Sequence, residues 1–443
     1  MRPRPATIAA IVGGESSNSS STAAPIELGL RPNLPQFALL VAINALVGGL
    51  VGVQRAVVPL IGEEEFLVGS AVVLMAFIAS FGVTKASANL VSGVLADRWG
   101  RRPVLVLGWL LGLPVPFLIM WAPSFEWIVA ANMLLGANQG LAWSMTVVMK
   151  VDLVGPARRG LALGLNEFAG YVAVAASAWG AGMVAARWGL RPEPFWIAVG
   201  CVLLGTVLSV LFVRETRPFA QLEATRHRGA TDHAQPVPRF AWVFAETSWR
   251  CRGLFAASQA GLVNNLNDGV AWGILPLLLA QRGLGIRAIA LAAAIYPLSW
   301  GVGQLATGWL SDHTGRRPLI VLGMWVQAGA HLLIGLDVGG ALVSGVVGAF
   351  LLGVGTAMVY PTLLASIGDQ SSANWRARAL SVYRFWRDLG YVVGAIASGL
   401  IADALGFDWS IHAAGMLTFV SGVVALRWLP RGKHAAQSSA LPT

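Results

Sequence analysis

Charge is what this sequence has least of. Asp, Glu, Lys and Arg make up 12% of its 443 residues, against roughly 25% in a soluble domain. A surface so poor in charge cannot be mainly water-facing, which excludes an ordinary soluble globular chain. Cysteine is almost missing as well. Cys201 lies inside an apolar run and Cys251 at the start of another, so no disulfide framework exists. Six histidines are scattered without a pair at metal-ligand spacing, and neither a metal nor a cofactor is expected. No glycine-rich nucleotide loop and no nucleophile–base arrangement can be found, which argues against an enzyme. No secretory leader is expected either. Arg2 and Arg4 precede only the short apolar stretch Ile8 to Val12, followed by the Ser/Asn-rich run Ser16 to Ser21, a composition that reads as a flexible tail.

What the sequence has in abundance is apolar residues, 56% of the chain. Runs of helical length fall at 36–61, 67–96, 103–122, 125–149, 159–186, 194–213, 253–281, 288–311, 318–336, 340–367, 378–403 and 409–429. Each is long enough to cross a bilayer, which takes about 20 residues. The fold expected is an all-α membrane protein with twelve transmembrane helices in two pseudo-symmetric six-helix bundles. The expected divisions are an N-terminal tail (1–33), a first bundle (34–213), a linker (214–250), a second bundle (251–430) and a C-terminal tail (431–443).

A net charge of +10 would suit nucleic acid if it were gathered on one soluble face. It is spread instead through short loops between apolar runs, where it sets topology. Of the 31 Lys and Arg residues, about 23 fall in loops and tails on the side of the two termini and about four (Arg187, Arg191, Arg282, Arg287) on the other. The expectation is a multi-pass protein of the cytoplasmic membrane with both termini in the cytoplasm. Its partners would be lipid and a small molecule, not nucleic acid, and it would act as a monomer.

The halves repeat each other. Gly93, Leu95, Asp97, Gly100, Arg101, Arg102 and Pro103 return as Gly308, Leu310, Asp312, Gly315, Arg316, Arg317 and Pro318, 215 positions later. Pro59 returns as Pro276, Gly136 as Gly353 and Asp152 as Asp369, all at 217, and Gly170-Tyr171 returns as Gly390-Tyr391. Such an offset implies two homologous bundles related by an axis along the membrane normal.

The Gly-x-Leu-x-Asp-x-x-Gly-Arg-Arg loop between spans 2 and 3, present in both halves, resembles the signature loop of the major facilitator superfamily. That resemblance covers about residues 34–430 and implies secondary transport, often coupled to protons, by alternating access. It also implies gating roles. Gly93 would let span 2 approach span 11, Asp97 would face the N-terminal end of span 11, and Arg101 would reach Asp152. Gly308, Asp312, Arg316 and Asp369 would repeat the arrangement against span 5. The chain departs from the drug-efflux branch, since Gly136, Asn138, Gln139 and Gly140 stand where that branch resembles Arg-x-x-Gln-Gly.

A charge at mid-bilayer costs roughly 2.5–3.5 kcal/mol by insertion scales, so each one there faces a partner or a wet cavity. Seven such residues stand out: Arg55, Lys85, Glu167, Asp268, Arg384, Arg387 and Asp388. Lys85 lies twelve residues before Asp97 and Asp388 twelve after Arg376, about 18 Å along each helix at ~1.5 Å per residue. The two should meet, and Lys85 and Arg384 join the gating set. The alternative is an Arg384–Asp388 pair within one helix. The same arithmetic makes Glu167 and Gln304 neighbours. Glu167, Asp388 and Asp268 are candidates for proton coupling, with a purely structural Glu167 as the alternative. Asn44, Arg55, Asn138, Gln139, Asn264, Asp268 and Trp272 are candidate substrate contacts, with interhelical hydrogen bonding the alternative for the amides. The function expected is proton-coupled export of a small organic solute, or else import or facilitated movement of an organic anion.

Overall fold

The computed structural model describes residues 27–155, 159–228, 238–372 and 375–431, less the side chains of residues 159, 161, 224–228, 308, 309 and 312. Most of both expected tails, 1–33 and 431–443, and the middle of the linker 214–250 lie outside the described residues. Every regular element among the described residues is helical. In chain order they are α1 (Leu34–Leu60, continued by a π-helical turn Ile61–Glu65), α2 (Ala71–Leu74), α3 (Ala76–Trp99), α4 (Arg101–Gly112), α5 (Val115–Met120), α6 (Phe125–Val154), α7 (Arg159–Trp188), α8 (Phe195–Leu211), α9 (Arg217–Arg228), α10 (Phe240–Ala245, continued by a π-helical turn Glu246–Arg250), α11 (Arg252–Gln281), α12 (Ile286–Thr314), α13 (Arg316–Gly335), α14 (Ala341–Gln370), α15 (Arg376–Leu405) and α16 (Phe407–Trp428). Met75 breaks one apolar run into α2 and α3. The break between α4 and α5 falls at Leu113-Pro114, where proline removes a helical N–H.

Nine helical segments among the described residues are long and apolar enough to cross a membrane. The expected count was twelve, and the difference has a physical source. α8 is short, at 17 residues. α6 and α11 have 30 residues each but carry Asn132, Asn138, Gln139, Lys150 and Asp152, and Asn264, Asn265, Asn267 and Asp268 respectively. The polar side chains that lower their hydropathy are buried inside the protein.

The helices pack as two matching sets. α1 lies on α7 and α8, α3 on α6, and α4 on α6 and α8; in the second half α11 lies on α15 and α16, α12 on α14, and α13 on α14 and α16. Lipid supplies no hydrophobic drive between helices, so close approach and hydrogen bonds must hold them. Small residues permit the approach. A Cβ on Gly48 would strike the Gly170 backbone, and one on Gly390 the Leu262 carbonyl, so α1·α7 and α11·α15 are backbone-close at equivalent places. Outward faces are apolar, as with Leu203, Leu204 and Val207 on α8 and Met416, Phe419 and Val420 on α16. Trp99, Trp121, Trp127, Trp188 and Trp249 are exposed near segment ends, where an interfacial belt places them.

The halves meet along two crossings, α3 on α15 and α12 on α7, with α1 touching α11 and α12 between them. Both crossings are closed at one end only. On α3, Gly82, Lys85, Asn89 and Gly93 share a face. A Cβ on Gly82 would meet Tyr391 at 2.7 Å, whereas one on Gly93 would meet nothing within 4 Å. On α7, Gly160, Tyr171 and Gly182 share a face, with Gly164 beside them. Gly182 abuts Ala290, while Gly160 and Gly164 have open space beside them. A Cβ on Gly399 of α15 would meet the Val72 backbone at 2.6 Å, and Asp403 of α15 accepts hydrogen bonds from the Ser70 hydroxyl (2.7 Å) and the backbone N–H groups of Ala71 and Val72, capping α2 from the other half. The bundle is therefore a V, shut at the end far from the repeated loops and spread at the end that carries them. The expected approach of Gly93 to span 11 is not made in this arrangement, because the helices diverge before reaching it.

Candidate functional site

The two halves meet at mid-depth through residues that the repeat makes equivalent. Arg55 and Trp272 are counterparts at the 217-residue offset that relates Pro59 to Pro276. They touch, with the Arg55 guanidinium 4.4 Å from the centre of the Trp272 ring and 4.7 Å from that of Phe81. Trp272 stacks on Tyr391 at 5.6 Å and 13°, and Phe81 stands edge-on to Tyr391 at 84°. The guanidinium thus sits in a corner between two nearly perpendicular ring faces. It is fully buried, and none of its three nitrogens has a hydrogen-bond acceptor among the described residues. Next to it, Asp268 is also fully buried, and both its oxygens are taken: the Tyr296 hydroxyl donates to one and the Tyr391 hydroxyl (3.1 Å) to the other.

The α3–α15 crossing is ionic. Arg387 donates to Asp388 Oδ1 through Nη2 (2.6 Å) and Nε (3.0 Å), Asn89 donates to Oδ2 at 2.6 Å, and Lys85 Nζ lies 4.0 Å away. Ser144 of α6 in turn donates to Asn89 at 2.8 Å. Lys85 also lies over the Tyr391 ring and Arg387 over the Tyr360 ring. Lys85 and Asp388 do meet, and Asp388 pairs with its neighbour Arg387 rather than with Arg384, which makes no ion pair among the described residues.

The α7–α12 crossing is aromatic. Tyr171 stacks on Trp300 at 3.6 Å, Trp143 packs on Tyr171, and Tyr296 bridges Trp300 to Trp272. Glu167 lies one turn below Tyr171. Trp143 Nε1 (2.9 Å) and Asn166 Nδ2 (3.0 Å) both donate to its Oε1. Glu167 and Gln304 lie on the two helices of this crossing as expected, but no hydrogen bond joins them, and Gln304 Nε2 finds no acceptor among the described residues. Three candidate amides turn inward to their own halves, since a buried amide must satisfy its hydrogen bonds. Asn44 donates to the Asn166 carbonyl and accepts from Thr146, Asn138 donates to the Gly108 carbonyl, and Asn264 accepts from Gln327 of α13. Gln139 is buried with its Oε1 unbonded.

At the spread end, the first repeated loop turns at Gly100, whose φ of +103° favours glycine. Arg101 bonds Asp97 at 3.1 Å and lies 3.4 Å from Asp152, to which Thr216 also donates. Asp97 is exposed and pairs with Arg101, the first residue of α4, rather than with the start of α15. Glu215 accepts the backbone N–H groups of Arg101 and Arg102, which open α4. Burial raises the Glu215 carboxyl, but the backbone N–H groups of Arg101, Arg217, Arg102 and Thr216 together outweigh it and hold its pKa below the usual value. In the second loop Arg316 reaches Asp369 at 3.1 Å and Ser311 at 2.6 Å. The side chain of Asp312, and any role of Gly308 beyond its place in α12, lie outside the described residues.

Tyr296, Tyr391, Asn89, Lys150, Glu215 and Asp403 were not foreseen. One signal pointed to the tyrosines. The chain has only five, and none stands at a segment end where a belt would put it; all five are buried.

Residues 37–260 and 257–441 each match the sequence profile of the Major Facilitator Superfamily. The chain is 23% identical to a protein of Cupriavidus pinatubonensis named "Probable 4-methylmuconolactone transporter", over 82% of this chain and 86% of that one. It is 22% identical to the multi-drug resistance efflux pump PmrA of Streptococcus pneumoniae (84% and 90%) and 24% identical to the multidrug resistance protein MdtG of Citrobacter koseri (82% and 87%). In fold it is similar to a POT family transporter solved in complex with 5-aminolevulinic acid, with a TM-score of 0.70 over 89% of this chain and 96% of that one, at 14% identity.

Proposed function

This chain belongs to the Major Facilitator Superfamily, a transport protein of the membrane rather than an enzyme, and from that premise we propose that it exports a small organic solute across the cytoplasmic membrane by proton-coupled alternating access. The observation that carries the reading is the V. Two crossings related by the repeat are both pressed together at one end and parted at the other. A single rocking motion about the Arg55–Asp268 layer would exchange the closed end for the open one. The excess of Lys and Arg on the side of the repeated loops supports a cytoplasmic position for the open end and both termini. One chain holds both halves, so a monomer suffices. The relatives named as efflux pumps support export.

Glu167 is the proposed proton carrier. Both its donors reach one oxygen, Oε1, so Oε2 can take up or release a proton while the side chain stays anchored. Asp388 is held by a guanidinium, an amide and an ammonium group, which suits a permanently charged lock better than a carrier. The test is flux in proteoliposomes under an imposed pH gradient. Solute should move against the proton gradient and reverse with it. Glu167→Gln should keep solute exchange and lose the response to pH. Wild-type flux that ignores the gradient would contradict the coupling.

A further inference from the structure

The central layer is short of acceptors for its cations. Away from the repeated loops, the buried charges among the described residues are four cations (Arg55, Lys85, Lys150, Arg387) and three carboxylates (Glu167, Asp268, Asp388). The carboxylates are already engaged. Asp268 accepts from two tyrosine hydroxyls, Asp388 from Arg387 and Asn89, and Glu167 from Trp143 and Asn166. Lys150 has the Leu40 carbonyl. Arg55 alone of the four cations has neither an ion pair nor a hydrogen bond, although it is fully enclosed. Asp268 lies in the same layer, but both its oxygens are spent on tyrosine hydroxyls and it accepts nothing from the guanidinium. Burying a cation whose N–H groups are all unbonded is costly, and a fixed guanidinium fork fits a carboxylate with two parallel hydrogen bonds. The Nε1 atoms of Trp272 and Trp300 are likewise buried without an acceptor. The amide oxygens of Gln54 and Gln139 are unbonded too, but a neutral amide cannot neutralise Arg55.

The walls around this cation are rings. Phe81 and Trp272 present faces to the guanidinium, and the stack continues through Tyr391 on one side and through Tyr296 and Trp300 on the other. Flat rings favour a flat guest by offset or edge-on contact. We infer that the solute of this transporter is a small aromatic or conjugated monocarboxylate, its carboxylate held by Arg55 and its ring laid on the Trp272–Tyr296–Trp300 wall. The inference rests on the reading of this layer as the substrate path.

The test uses the purified full-length protein and three probes at matched ionic strength: sodium benzoate, its neutral isostere benzamide, and sodium cyclohexanecarboxylate, which keeps the charge but has a saturated, non-planar ring in place of the aromatic one. Ligand-dependent thermal shift and tryptophan fluorescence report binding. Benzoate should bind about tenfold or more tighter than benzamide, the scale of a charge-assisted hydrogen-bond pair, and tighter than cyclohexanecarboxylate. Arg55→Gln should fold with an unliganded melting temperature no lower than wild type and should bind benzoate and benzamide alike. Equal binding of benzoate and benzamide by the wild type would overturn the inference, and so would an Arg55→Gln protein that cannot fold or that keeps the preference. Equal binding of benzoate and cyclohexanecarboxylate would overturn the aromatic part. A protein that moves solutes under a pH gradient but ignores benzoate loses this inference alone. One that binds benzoate and never moves it loses the transport reading instead.

Discussion

The two crossings between the halves occupy equivalent places and are built from opposite chemistry. Where α3 meets α15, Lys85, Arg387 and Asn89 converge on the buried carboxylate of Asp388. Where α12 meets α7, Trp300, the 215-offset counterpart of Lys85, stacks on Tyr171 at 3.6 Å. Tyr171 and Tyr391 are counterparts as well, and one carries a tryptophan where the other carries an ammonium group. Helix packing has stayed symmetric while the chemistry of the contact has not. An ion pair in a dry setting has one good geometry and fails sharply when a partner is lost. Stacked rings keep most of their contact when they slide. In the proposed rocking motion the ionic crossing would act as the lock of the interface and the aromatic crossing as its bearing.

The largest expected effect breaks the lock. Asp388→Ala leaves two buried cations without a counter-charge and should cost about 3–5 kcal/mol, seen as a sharp fall in melting temperature or in recoverable folded protein. Lys85→Met should cost clearly less, since Arg387 still holds Asp388; equal losses would show that the 4.0 Å pair matters as much as the direct hydrogen bonds. At the closed end, Asp403→Ala removes a helix cap supplied by the opposite half and should cost about 0.5–2 kcal/mol. That loss should appear as increased labelling of a cysteine placed at Leu74 from the far side, and unchanged labelling would mean that Gly399 and Val72 close the end unaided. Trp300→Phe sharpens the comparison from the other side. A smaller ring keeps the stack, so the change should stay within about 0.5–1.5 kcal/mol; a loss as large as that of Asp388→Ala would erase the distinction between lock and bearing.

The smallest effect concerns the repeated loops. Glu215 anchors only the first, and Glu215→Gln should cost about 0.3–1 kcal/mol, near the lower end because the residue is partly exposed. Its pKa is held below the usual carboxylate value. Its contribution is therefore complete at neutral pH and is lost as pH falls through that lowered pKa. The melting temperature of wild type, but not of Glu215→Gln, should carry this component in acid.

Pattern carried the sequence reading far at the level of helices. The 217-residue offset and the Gly-Arg-Arg loops gave the two-bundle plan, because duplicated packing preserves spacing. Counting twelve residues along two helices brought Lys85 to Asp388, since ~1.5 Å per residue fixes depth. What spacing cannot resolve is rotation. Asn44 shares a face with Arg55 by count, yet it bonds α7 within its own half, as Asn264 bonds α13. The tyrosines that engage Asp268 come from α12 and α15, partners that only the folded chain brings together. Which end of the V is shut is a property of a state, and no residue pattern specifies it.

The most direct test is a pair of distances measured by electron–electron resonance in nanodiscs, in a chain with Cys201 and Cys251 replaced by alanine. One pair of spin labels, at Val94 and Ser381, spans the spread end, and the other, at Leu67 and Leu405, spans the closed end; all four side chains are exposed. The account predicts reciprocal change: when pH or solute is varied, one distance lengthens as the other shortens. Two distances that stay fixed, or that lengthen and shorten together, would contradict a rocking motion about the Arg55–Asp268 layer.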